Sequence, residues 1–388
     1  MKHRRAHRTR IRVAAATGVL GVAAVGTVFA HAAMPHDDAT DRAGAATSAS
    51  PTSPAGESTA VADPAPSSKP SAPKRTKTAP AGRPGPKQSA HEAKQAADGS
   101  CGVAPSDSIW RQPVDGLPAH QRSGTYVSAI GGDKPLHPDF GAGLIDGKPF
   151  GIPVTVVDGA APQAQVGFDY DDESDHGGYG IPDDARVENG PDGTGDRHVI
   201  VWDRAKCASY ELYDAHRTGS ATWHAGSGAI FDLRSNKLRP DGWTSADAAG
   251  LPILPGLVRY DEVAAGDIAH ALRITVPRSD RSHVWPARHD AGAAGDQHLP
   301  PMGLRLRLKA SVDISSLPPQ AKVIATALKR YGAMVADNGS SWFVSGDQDE
   351  RWDNDQLNAL KSLKGSDFEA VDVSGLQAAS DSGAAKAP

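Results

Sequence analysis

Residues 33–98 hold ten prolines and not one Phe, Trp, Tyr, Leu or Ile. A stretch with so little apolar surface cannot offset the entropy of ordering itself. It reads as a disordered, partly extended spacer, either a tether through a cell wall or a plain linker. Every aromatic residue except Phe29 lies beyond residue 100, so the folded part is confined there. Upstream, Lys2, Arg4, Arg5, Arg8, Arg10 and Arg12 precede an uncharged Ala/Val/Gly-rich run over 13–30 and the small-x-small site Ala30-His31-Ala32. These are the parts of a secretory signal, expected over 1–32. As a helix the run would be about 27 Å long, which leaves an uncleaved anchor as the other reading. A single extracellular β-rich domain is expected over 99–375, and a disordered tail over 376–388.

Residues 99–388 retain 27 basic against 39 acidic side chains, a formal net charge of −12. Nucleic-acid binding rests on neutralising phosphates, so an acidic body disfavours that class, and no nucleic-acid partner is expected. Neutral or cationic ligands fit better. Cys101 and Cys207 are the two cysteines, and in an oxidising compartment they are expected to pair. No membrane contact is expected beyond the N-terminal signal.

Short period-two segments at 152–157, 164–170, 198–202, 208–213, 270–276 and 304–308 are rich in β-branched and aromatic residues, and Gly, Pro, Asp and Asn clusters separate them. The helical pattern comes late. Val323, Ile324, Ala327, Leu328 and Tyr331 share a face after Pro318-Pro319 and before Gly332, and Leu357, Leu360 and Leu363 form a second pattern closed by Gly365. The expected fold is mainly β, a β-sandwich or jelly-roll with one or two C-terminal helices.

The stretch 226–262 is long and poor in periodicity, as binding loops on a rigid scaffold are. It supplies the carboxylates of Asp241, Asp247, Asp261 and Glu262, the guanidinium of Arg259, and the rings of Trp243 and Tyr260. A second cluster adds Trp285, Arg288 and His289. Sugar rings stack on aromatic faces, and hydrolysis of a glycosidic bond needs two carboxylates set apart to act as acid and as base or nucleophile. The competing reading is structural, with Asp and Ser capping turns and Arg259 pairing with Asp261 or Glu262. No metal site is expected, because His283 and His289 lack a partner at ligand spacing and HExxH is absent. The acidic turns 169–175 and 192–196 are solvated turns or sites for a structural calcium ion. No nucleophile elbow, phosphate loop or dinucleotide fingerprint is present, so no cofactor is expected.

In the blocks 196–203 (DRHVIVWD), 243–262 (WTSADAAGLPILPGLVRYDE) and 336–340 (ADNGS) the chain resembles a group of secreted bacterial proteins common in actinomycetes. The resemblance covers most of 100–375. It implies a single extracellular domain and carries over no activity and no catalytic residue. Two functions fit these readings. One is a secreted carbohydrate-active enzyme, a hydrolase or lyase of a neutral or cell-wall polysaccharide. There Glu262 or Asp261 would work with Asp241 or Asp247, His289 would be an alternative base, and Trp243, Tyr260, Trp285, Arg259 and Arg288 would bind ligand. The other is a non-catalytic glycan- or wall-binding module on a tether, using the same aromatic residues. An inert surface protein is the third reading, and the oligomeric state stays open.

Overall fold

The computed structural model describes residues 101–292 and 295–386. The leader and spacer expected over 1–98 lie outside the described residues. In chain order the strands are β1 (His137–Asp139), β2 (Leu144–Ile145), β3 (Lys148–Pro149), β4 (Val154–Val157), β5 (Gln163–Phe168), β6 (Tyr179–Gly180), β7 (Val199–Asp203) and β8 (Ala208–Tyr213). They continue as β9 (His216–Gly219), β10 (Thr222–Ala225), β11 (Ser227–Asp232), β12 (Leu272–Val276), β13 (Arg305–Leu308), β14 (Ala333–Asn338), β15 (Phe343–Ser345) and β16 (Phe368–Val371). The helices are α1 (Ser123–Ile130), α2 (Tyr260–Ala265), α3 (Pro319–Arg330) and α4 (Asn354–Asn358). The fold is mainly β.

Two four-stranded sheets, ordered β6-β5-β10-β9 and β11-β8-β7-β4, make a sandwich. Side chains alternate across a strand, and β7 and β8 use both faces. Val199, Val201, Tyr210 and Leu212 meet Ala164, Tyr179, Trp223 and Ala225 of the opposite sheet. Ile200 and Trp202 turn the other way, onto Ile253, Leu254, Leu257 and Cys207. Burying each such aliphatic side chain contributes roughly 1.5–3 kcal/mol. The Cys101–Cys207 disulfide forms at the edge of this second cluster, with Cα atoms 5.3 Å apart. Such a bridge belongs to an oxidising, extracellular-type environment.

The third sheet has six strands in the order β1-β15-β12-β14-β13-β16, with β1/β15 and β12/β14 parallel. Helix α3 buries Ala321, Ile324, Ala325, Ala327 and Leu328, close to the face read from the sequence. Gly332 ends it at φ +68°, and a Cβ there would lie 2.1 Å from the Leu306 carbonyl oxygen. Asp353 caps α4 by accepting from the backbone N–H groups of Asp355 and Gln356. No helix among the described residues is long and apolar enough to cross a membrane.

Two expectations need correcting. The stretch 226–262 is not all loop, because β11 pairs along its whole length with β8. Its alternation is hidden by Gly228, where a Cβ would come within 2.6 Å of Phe168 and 2.7 Å of the Tyr179 hydroxyl. The residues 376–386 are not a disordered tail. Ile109 N–H donates to Gly383 O (2.8 Å), Gly383 N–H to Asn236 O (2.6 Å) and Ala385 N–H to Asp107 O (2.8 Å). Backbone pairing and the burial of Leu376 in the main core hold this strap, and composition does not reveal the pairing.

Candidate functional site

The residues of 259–262 open helix α2 and form a network of their own. Glu262 is 9 % exposed. Its Oε1 accepts from Arg259 Nη2 at 2.5 Å, and its Oε2 lies 3.1 Å from His270 Nε2. Burial pushes the Glu262 carboxyl up, but the charges of Arg259 and His270 outweigh it and hold the group down at about 2. Tyr260 packs edge-on against Trp352 beneath the Arg351 guanidinium, and Arg351 also pairs with the exposed Asp261 at 2.8 Å. The structure therefore does not join Glu262 to Asp241 or Asp247. Its carboxylate is committed to tying the start of α2 to His270, just ahead of β12.

Asp241, Trp243, Arg288 and His289 are brought together. The backbone N–H groups of Arg288 and His289 both donate to Ala249 O, at 2.9 and 3.2 Å, and Gly242 N–H donates to Arg288 O at 2.7 Å. His289 Nδ1 is 2.7 Å from the Ala248 carbonyl. A carbonyl only accepts, so Nδ1 carries the hydrogen and Nε2 is left facing Glu173 Oε2 at 3.9 Å. Glu173 Oε2 also accepts from the Thr244 N–H at 3.1 Å. Arg239, buried, donates to Asp175 (2.5 Å) and to Thr244 O (2.6 Å), with its guanidinium 5.5 Å from the Trp243 ring centroid. Asp175 is thus spent on an ion pair within the acidic turn read as a calcium candidate. Trp285 is partly buried, and its Nε1 donates to Ser382 O of the strap at 2.8 Å. Among the described residues no three His, Cys, Asp or Glu side chains are grouped so as to hold a metal ion.

Beneath this loop pair lies a charged centre that the sequence reading largely missed. Asp247 is fully buried and its Oδ2 accepts from Arg273 Nε at 3.2 Å. Arg273 Nη1 donates to Ser345 Oγ at 2.6 Å. His198 Nε2 is 3.1 Å from Ala246 O, and its Nδ1 is 2.6 Å from Glu188 Oε2. Burial works against the charge on His198, yet Glu188 holds its pKa up at about 9. Burial likewise opposes the charge of Glu188, and His198 overcomes it and lowers that carboxyl. On β14, Asp337 keeps some exposure. Burial and then the nearby charge of Asp247 push its carboxyl up to about 7. The charge of the exposed Asp196 acts on it in the same direction. Tyr213 belongs to the same group, its hydroxyl pushed up to about 12 by burial and by Asp196, Asp214 and Asp337.

The centre is assembled from segments far apart in sequence, two loops and strand β14 among them. Ala249 N–H donates to Ala336 O at 3.0 Å, Asn338 Nδ2 to Ala291 O at 3.2 Å, and Asp214 N–H to Asp196 O at 2.8 Å. The blocks 196–203, 243–262 and 336–340 thus supply Asp196 and His198, Asp247, and Asp337. The usable chemistry is one carboxyl that keeps its proton toward neutral pH, an exposed carboxylate near it, and a histidine whose Nε2 faces the Glu173 carboxylate. No family model, curated protein or solved structure matches the chain.

Proposed function

We propose that the protein is a secreted carbohydrate-active hydrolase of a neutral or cell-wall polysaccharide, with Asp337 as its general acid and Asp196 as the partner carboxylate. The observation that carries this reading is the Asp337 carboxyl, held up to about 7 by burial and by Asp247 in a residue that is only half-buried. Cleaving a glycosidic bond calls for one carboxyl protonated to deliver a proton to the leaving oxygen and a second one ionised. Asp196 is exposed, and its charge is close enough to raise both Asp337 and Tyr213. Tyr170 leaves 55 % of its surface exposed, a free face for a sugar ring beside Gly226 and Tyr213. The basic leader and apolar run, together with the disulfide, support secretion.

The test incubates the full chain with a panel of plant and cell-wall polysaccharides and reads released oligosaccharides by mass spectrometry. The wild type is expected to release product, and Asp337→Asn to release it about 10²–10⁴-fold more slowly, the usual worth of a general acid. No product from any polymer, or undiminished release by Asp337→Asn, overturns the reading. The exposed Tyr170 ring also favours a second reading, a tethered glycan-binding module. In that case the protein pellets with a polysaccharide without cutting it, and Tyr170→Ala weakens pelleting while Asp337→Asn does not.

A further inference from the structure

Asp247 Oδ2 is bound by Arg273, and the Ala249 N–H, whose closer acceptor is Ala336 O, also acts on the carboxylate, but Oδ1 has no full hydrogen bond among the described residues, although the residue is fully buried. A buried carboxylate oxygen without a donor costs about 1–3 kcal/mol or more, so a native fold that keeps one has a donor for it. The loop of Asp247 is tied to the strand of Asp337 by the Ala249 N–H to Ala336 O bond. Asp337 Oδ1 is already taken by the Asn338 N–H at 2.6 Å, which leaves Oδ2 as the oxygen able to carry a proton.

We infer that Asp247 is a positioning residue for Asp337, its free Oδ1 accepting the hydrogen bond of a protonated Asp337 while Arg273, anchored on Ser345, fixes Asp247 in place. This rests on the reading of Asp337 as the acid of the site. The two carboxyls then share one proton, as paired carboxyls do. The charged groups that act most strongly on them fit this scheme. Arg273 on β12 neutralises the one negative charge, and His198 on β7 adds a positive charge that acts on Asp247. Glu188 binds His198 and also supports Arg273. Asp196 acts on Asp337, while the carboxyl of Glu211 on β8 feels Asp247 and accepts from the backbone N–H groups of Ile253 and Leu254.

The test is a ¹³C NMR titration of the aspartate carboxyls in the full chain, which needs no substrate. In the wild type Asp337 is expected to titrate near neutrality, and in Asp247→Asn to fall by about 1–3 pH units as the like charge is removed. Should Asp247→Asn not fold, the reciprocal variant Asp337→Asn serves. Linkage is mutual, so Asp247 must then titrate lower than in the wild type. An Asp337 that titrates as an ordinary carboxylate in the wild type, or one that ignores the loss of Asp247, overturns the inference, as does an Asp247 indifferent to Asp337→Asn. A shared proton in a protein that cuts no polysaccharide would refute the hydrolase reading alone. Turnover lost in Asp337→Asn without a coupled titration would refute the shared proton alone.

Discussion

His198 Nδ1 lies 2.6 Å from Glu188 Oε2, and the imidazole is sealed at the end of β7 with its other nitrogen against the Ala246 carbonyl. This pair links the sandwich to the loop that carries Asp247. A charged histidine here makes stability depend on pH. Its folded pKa of about 9 exceeds the roughly 6.5 of an unfolded chain. The stabilisation is therefore complete below about 6.5 and disappears as pH rises through the folded value. Glu188, lowered in the fold, adds stability that is lost only as pH falls through its own depressed pKa. Glu188→Gln should lose about 3 kcal/mol at pH 7, within the range for breaking a buried pair. Urea unfolding at pH 7 and pH 10 checks this, because the gap from wild type must shrink at the higher pH. A gap independent of pH would mean that His198 is neutral throughout.

Glu262 offers a contrasting expectation. Its carboxylate is bonded to Arg259 and His270 and is nearly closed to solvent. Glu262→Gln should cost about 3–5 kcal/mol by leaving Arg259 poorly paired in a buried site. A calorimetric melt measures the loss. Any polysaccharide-cleaving activity should fall only in proportion to the folded fraction. A variant that melts like the wild type but has lost turnover would put Glu262 in the chemistry after all.

Much of this fold is legible in the sequence, and most of the site is not. Strands β7, β8, β12 and β13 alternate because each buries at least one whole face, and α3 declares itself through its apolar stripe, its prolines and Gly332. Strand β11 hides behind Gly228, whose missing side chain makes room for Phe168 and Tyr179. The strap over 376–386 hides because backbone pairing leaves no mark on composition. For the site, 226–262 attracts attention through its density of Asp, Arg and Trp, and the structure does gather Asp241, Trp243, Arg288 and His289. Asp337, Asp196, His198 and Glu188 look ordinary along the chain. The perturbed protonation of Asp337, His198 and Glu188 arises only where distant segments of the chain close around Asp247, and sequence spacing carries no such distance.

The disulfide closes a loop with a sequence separation of 106 residues. In the chain-entropy treatment a loop of that length contributes about 5 kcal/mol by restricting the unfolded state. The double variant Cys101→Ser/Cys207→Ser should therefore unfold at markedly lower urea concentration, and wild type in reductant should match it. Equal midpoints for reduced and oxidised protein would show that the bridge contributes nothing measurable.

Gly250 joins the two loops of the candidate site. Its φ is +68°, and a Cβ there would lie 2.5 Å from the Trp243 carbonyl oxygen and 3.3 Å from Arg288 Cβ. Gly250→Ala thus combines a left-handed strain with a clash against backbone, together about 1–3 kcal/mol. The Trp243 peptide has to move, and with it the hydrogen bonds that hold Arg288 and His289 to Ala249. Thermal unfolding should register the lost stability, and near-UV circular dichroism the altered setting of Trp243. Because Asp247 is anchored separately by Arg273, the ¹³C titration of Asp337 should change little in this variant. A large shift of Asp337 in Gly250→Ala would instead mean that the loop over Ala249, and not the Arg273 anchor, fixes the carboxyl pair.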